Sequence, residues 1–91
     1  MLKVLPYIYN IFTTPDKWYI FIDMNFDIEF EQEEDGRWIA EIPEIPGVLA
    51  YGVTPLQAGA KAKALALRVL AERMENEDSI PGINSIAFAS H

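Results

Sequence analysis

Residues 26–57 read FDIEFEQEEDGRWIAEIPEIPGVLAYGVTPLQ, and the order of signals in this stretch decides the fold. Phe26, Ile28 and Phe30 alternate with Asp27, Glu29 and Glu31, the period of a strand with one apolar and one acidic face. Asp35-Gly36 is a hairpin turn signal, because glycine takes positive φ without steric cost. A second strand over residues 37–42 places Trp38, Ala40 and Ile42 on one face. Pro43 and Pro46 then break the ladder, Gly47 permits a turn, and residues 48–51 form a short third strand ended by Gly52. Thr54-Pro55-Leu56-Gln57 supplies a capping hydroxyl, a proline at the first helical position and a glutamine three residues after the cap.

Toward the C-terminus, helix formers continue through residues 58–74, with Gly59 the one weak spot. Asn76 or the region 79–82 stops the helix, and residues 83–89 make a last strand that returns to the sheet. The expectation is an α+β domain: a three-stranded antiparallel sheet, one long helix, then a further strand. At 100° per residue the helix is apolar on two sides. Ala58, Ala62, Leu65, Ala66, Val69 and Leu70 form one stripe; Leu56, Ala60, Leu67, Ala71 and Met74 form another, nearly opposite. One stripe packs on the sheet. The other needs a cover, supplied by the N-terminal segment, another protomer or a partner.

Toward the N-terminus the composition changes. Six of the 11 aromatics, Tyr7, Tyr9, Phe12, Trp18, Tyr19 and Phe21, lie in residues 1–23, where two positive and two negative side chains cancel. Residues 24–91 hold 5 basic and 12 acidic residues and hence the whole net charge of −7. The division is therefore 1–23, an aromatic N-terminal extension, and 24–91, the α+β domain. Two readings of the extension stay open: a hairpin around Thr13-Thr14-Pro15-Asp16-Lys17, or residues upstream of a true start at Met24. The uncharged run over residues 4–15 is too short and too interrupted for a membrane span.

Ninety-one residues make one small domain with a thin core. The acidic balance repels phosphate and argues against a basic-groove nucleic-acid binder. With no cysteine there is no disulfide, thiolate nucleophile or thiolate zinc site, and the composition suits a cytoplasmic protein. His91, the last residue and the only histidine, reads as a passive terminus rather than a base, and no serine sits in a nucleophile motif. The dense polar constellation is carboxylate: Asp27, Glu29, Glu31, Glu33, Glu34, Asp35, Glu41 and Glu44 crowd one hairpin with Arg37 among them. A two-metal nuclease needs carboxylates converging from several elements, which adjacent acids on a hairpin do not imply. An acidic face that docks a basic partner needs only sign and clustering. No catalytic residue, metal or other cofactor is assigned.

The ordered set Glu34-Asp35-Gly36-Arg37-Trp38-Ile39-Ala40-Glu41-Ile42-Pro43-Glu44-Ile45-Pro46-Gly47-Val48, continued by Gly52-Val53-Thr54 and Ala58, resembles the "DGxWxAxxPxxPG … GxTxxEA" pattern of HicB-like antitoxin domains. The likeness covers roughly residues 25–88. It implies a partial ribonuclease H-like fold, assembly into dimers or larger oligomers, and binding of HicA, a small basic messenger-RNA-cleaving toxin. Gln57 stands where that family usually has an acid, a change that keeps the capping role. The sequence carries no C-terminal DNA-binding module of the kind those antitoxins often have, so direct DNA binding is not expected.

The sequence reading is thus a non-enzymatic, self-associating, HicB-like antitoxin-type inhibitor. Its alternatives are a stand-alone oligomeric scaffold without a toxin, and a carboxylate- and metal-dependent nuclease. Asp27, Glu29, Glu31, Arg37 and Glu41 are the candidate partner-binding residues. Leu56, Ala60, Leu67, Ala71 and Met74 are the candidate oligomer interface. Trp38, Pro43, Pro46, Gly47, Gly52 and Thr54 are fold-determining.

Overall fold

The computed structural model describes residues 7–76 and 82–90. His91 and most of the alternative helix stop at 79–82 lie outside them. Five strands and one helix follow in the order β1 (Tyr7–Thr13), β2 (Trp18–Gln32), β3 (Trp38–Glu41), β4 (Leu49–Gly52), α1 (Pro55–Asn76) and β5 (Gly82–Ser90). The expected α+β architecture is present. β2, β3 and β4 form an antiparallel meander, and β5 returns parallel to β2.

β1 extends this sheet by pairing antiparallel with the first half of β2, from Thr13 opposite Trp18 to Tyr7 opposite Met24. β5 pairs with Phe21 through Ile28, so β1 and β5 flank Phe21–Met24 on opposite edges. β2 passes Asp23 and Met24 without a break, and the composition step at that point falls inside one strand. The β5 register slips between Ile22 and Asp23, leaving Asn84 as an extra residue. Asn84 Nδ2 and Ser85 Oγ both donate to Asp23 Oδ1 at 2.8 Å, which holds the bulge in place.

Alternation along β2 builds the core. Ile22, Met24, Phe26 and Ile28 are buried, whereas Asn25 and Asp27 between them and Glu29 after them are exposed. The hairpin to β3 turns at Gly36, whose φ of +92° is the left-handed value expected of the Asp-Gly pair. The proline loop is compact rather than open. Ile45 N–H donates to the Ile42 carbonyl at 3.0 Å, Val48 N–H to the Ile45 carbonyl at 3.1 Å, and Ile42 N–H to the Val48 carbonyl at 3.1 Å. These bonds drive Ile42, Ile45 and Val48 inward together, each at most 1% exposed, while Pro43 and Pro46 stay outside.

The helix start has the expected cap. Thr54 Oγ1 accepts from Gln57 N–H at 3.1 Å, and Gln57 Oε1 accepts from Val53 N–H at 2.7 Å. The first bond satisfies a donor of the first helical turn, and the second ties the chain just before the cap back to the helix. Of the two apolar stripes, the one containing Ala58, Ala62, Ala66 and Leu70 meets the sheet and is buried, with Leu65 and Val69 half-buried beside it. Alanine at three successive contact positions lets the helix axis approach the strands closely. The second stripe faces outward: Leu56 is 85% exposed, and Leu67 and Met74 nearly half. Residues 7–17 leave this stripe uncovered, since β1 pairs along β2 and away from the helix.

Candidate protein-binding face

The same alternation that buries the even-numbered residues of β2 sends Asp27, Glu29 and Glu31 to the face opposite the helix, where all three are exposed. Register decides what lies beside them. Glu29 is directly opposite Glu41 of β3, Glu31 is opposite Ile39, and Ile39 is opposite Tyr51 of β4. Directly opposed residues of an antiparallel pair hold their Cβ atoms about 4.5–5.5 Å apart. Two carboxylates are therefore held side by side, a pairing that costs stability. A shallow depression of about 330 Å³ lies at this point, lined by Glu29, Glu31, Ile39 and Glu41 together with Phe30.

Arg37 is placed beside the acids but turned from them. Its backbone N–H donates to Asp35 Oδ1 at 3.0 Å, its Nε donates to Asp35 Oδ2 at 2.8 Å, and its guanidinium sits 4.6 Å from the Tyr51 ring centroid. The bond from the Arg37 backbone N–H is the largest cause that holds the Asp35 carboxyl below its ordinary value; the Arg37 side chain adds to it. The Glu29–Glu41 pair is left without neutralisation by Arg37. Asp27 lies further along β2, opposite Ala89 of β5, and its backbone N–H donates to Glu44 Oε1 at 3.3 Å.

The structure therefore brings together three of the five residues expected at the partner face, Glu29, Glu31 and Glu41. Asp27 stands at one end of the group and Arg37 at a corner. Three apolar members of the same face went unremarked in the sequence: Ile39, Leu49 and Tyr51, the last two each 39% exposed. Period-two reading of β3 and β4 carries the signal for them, because Ile39 alternates with Ala40 exactly as Glu41 does. The bond from Asp27 to Glu44 has no sequence signal, since it joins a strand to the proline loop 17 residues away. Among the described residues no three carboxylate or histidine side chains are close enough to hold a metal ion.

A second concavity lies on the helix side. It is an open groove of about 560 Å³ between the first two turns of α1 and the ends of β2 and β5. Phe30, Leu56, Gly59, Ala60 and Phe88 line it, and Lys63 stands at its rim with Nζ 6.0 Å from the Phe88 ring centroid. Leu56 and Ala60 of the expected oligomer interface border this groove, while Leu67, Ala71 and Met74 continue along the exposed helix surface. Of the fold-determining residues, Trp38 packs half-buried against the core and Gly47 has φ +85°. No helix among the described residues is long and apolar enough to cross a membrane.

Compared with known proteins, the chain matches no family model, no curated protein and no solved structure.

Proposed function

We propose that this protein is a non-catalytic, HicB-like interaction domain whose acidic sheet face binds and blocks a small basic RNA-cleaving toxin of the HicA type. The observation that carries the reading is the Glu29–Glu41 pair, with Glu31 beside it and the apolar strip Ile39, Tyr51 and Leu49 adjoining. A fold gains nothing by keeping like charges opposed on an exposed face, whereas a cationic partner converts that cost into complementarity. An antiparallel meander, a capped helix and a parallel returning strand support the partial ribonuclease H-like assignment. The helix stripe Leu56, Ala60, Leu67, Ala71 and Met74 is proposed for self-association, and the cysteine-free composition fits the cytoplasm.

The test is calorimetric titration of the full chain with the product of a short basic reading frame adjacent to its gene. Binding should weaken as salt is raised, and the double variant E29K/E41K should bind at least tenfold more weakly while keeping its circular dichroism spectrum. Unchanged affinity in that variant overturns the assigned face. The exposed helix stripe favours a second reading, a stand-alone oligomeric scaffold; it stands if no such basic gene neighbours this one and no toxin binds. Mg²⁺- or Mn²⁺-dependent cleavage of RNA or DNA, lost in Asp27→Asn, would replace both readings with a nuclease.

A further inference from the structure

The groove between α1, β2 and β5 has the construction of a small-molecule cleft. Ile28 is buried at its base, and the rings of Phe30 and Phe88 border it half-buried. Phe88 leans on the buried Phe26 ring, with centroids 5.9 Å apart, so the core sets its position. Leu56 and Ala60, one helical turn apart, stand exposed on the other side. Gly59 lets the helix lie close to Phe30, since a Cβ there would come within 3.2 Å of the ring. The volume, about 560 Å³, lies within the ~300–1,000 Å³ of ligand clefts, whose usual lining is apolar with a few placed polar groups.

Charge decides what kind of ligand fits. The chain carries 14 acidic residues against 7 basic, a net −7. Yet among the described residues lining the groove none is acidic, and the one charged side chain is the cationic Lys63. The helical neighbours of Lys63 at three and four residues, Gly59, Ala60, Ala66 and Leu67, are uncharged. The ion pair present among the described residues joins Arg37 to Asp35 on the hairpin, and Lys63 takes no part in one. Its Nζ stands instead 6.0 Å from the Phe88 ring centroid, at the groove mouth. The first turn of α1, which borders the same groove, holds no acid to offset the positive end of the helix. In a strongly acidic protein this groove is a local cationic exception.

We propose that the groove binds a monocarboxylate with an apolar tail, a medium-chain fatty acid or an acid of similar shape. The tail lies between Phe30, Phe88 and Leu56, and the carboxylate meets Lys63. Two turns of α1 span about 11 Å, the length of an extended medium-chain acyl tail. One cation on an apolar lining matches one negative charge; a phosphate ester or a dicarboxylate calls for a second cation, which the described lining lacks. This site goes beyond the proposed function and lies on the sheet face opposite the acidic one, so it does not depend on a toxin. It gives Leu56 and Ala60 to a ligand rather than to self-association.

The test follows ¹H–¹⁵N correlation spectra of the full chain titrated with octanoate up to about 3 mM. Beside it run 1-octanol and octyltrimethylammonium, which carry the same tail with no charge and with the opposite charge. Net charge alone favours the cation; the groove favours octanoate. Saturable shifts should converge on the amides of Gly59, Ala60, Lys63 and Phe88, and octanoate should bind about threefold or more tighter than 1-octanol. Lys63→Glu turns an attraction into a repulsion and should weaken octanoate about tenfold, leaving 1-octanol unchanged. Lys63→Arg should keep the preference. Ala60→Trp, at an exposed helix position, fills the groove and should weaken both, with an unchanged circular dichroism spectrum. Octanoate bound no better than octyltrimethylammonium, or equally well by Lys63→Glu, overturns the proposal. Shifts that spread along Leu67, Ala71 and Met74 instead of the groove overturn it too, as does the absence of saturable shifts over the range. Shifts that emerge only as the protein is diluted assign the groove to a contact between copies and likewise overturn it.

Discussion

Gly52 offers the sharpest test of how the two layers fit. It ends β4 opposite Trp38, is buried, and lies beneath the first turn of α1. A Cβ built on it would sit 2.5 Å from Ala58 N, 3.0 Å from Ala58 Cα and 3.1 Å from Gln57 C. All three are backbone atoms, and no rotamer change relieves them. The turn that carries them is held by the bond from Ala58 N–H to the Thr54 carbonyl at 3.0 Å and by the Thr54–Gln57 cap. Relief requires the helix start to lift by about 1 Å, which loosens Ala58 and Ala62, both fully buried. Overpacking of this kind costs about 1–3 kcal/mol, offset by about 0.4–1 kcal/mol from the reduced freedom of the unfolded chain. Gly52→Ala should therefore lose about 1–2 kcal/mol, lowering the melting temperature by about 5–15 °C at the ~4–8 °C per kcal/mol typical of this size. Gly59→Ala is the control. Its Cβ would meet only the Phe30 ring, at 3.2 and 3.3 Å, and that ring borders the open groove and can give. The helix gains about 1 kcal/mol from replacing glycine by alanine, so this variant should melt at or above the native temperature. Thermal unfolding followed at 222 nm measures both. A Gly52→Ala protein melting within 2 °C of native, or one no worse than Gly59→Ala, would refute the claim that β4 and α1 touch backbone to backbone.

Three further outcomes follow from the geometry. Thr54→Ala removes the acceptor for Gln57 N–H and should cost about 1 kcal/mol in urea unfolding, whereas Thr54→Ser should cost little. Glu41→Gln relieves the opposition to Glu29 and should raise stability by about 0.2–1 kcal/mol at low salt, a gain that shrinks as salt is added; a loss of stability would mean the two carboxylates are not opposed. Asp35 has a folded-state pKa below its unfolded value, so its small stabilising contribution is present above the unfolded value and is lost as pH falls through the folded one. Its carboxyl resonance should titrate below the ordinary aspartate range, and Arg37→Ala should restore only part of the shift, because the variant keeps the backbone N–H at residue 37, the largest single cause.

The local elements were legible because each is specified by neighbours in sequence. Period-two alternation around Phe26 and Ile28, the Asp-Gly turn and the Thr54–Gln57 cap involve residues at most a few positions apart, and the structure has each of them. The acidic face was legible to the same extent: alternation alone puts Asp27, Glu29 and Glu31 on one side. It could not say that Arg37 turns to Asp35 and Tyr51 and leaves Glu29 and Glu41 opposed. That outcome depends on strand register and on the Asp35 acceptor geometry. Gly52 illustrates the same division. The sequence marks it as the end of a strand, but the reason it must be glycine is the approach of a helix backbone.

By itself, then, the sequence determined the α+β class, the element order from Phe26 onward, the turn and cap chemistry, and the sign of the outer sheet face. Tertiary structure decided which of two equally periodic helix stripes is buried. Ala58, Ala62 and Ala66 are small enough for the helix to lie close on β3 and β4, and that contact leaves Leu56, Leu67 and Met74 outside. It also decided that β2 runs unbroken from the aromatic N-terminal hairpin into the acidic sheet, and that β5 ends as an uncharged edge. Helical periodicity repeats on every side of a helix and strand alternation on both faces of a sheet. Only the meeting of distant surfaces chooses between them.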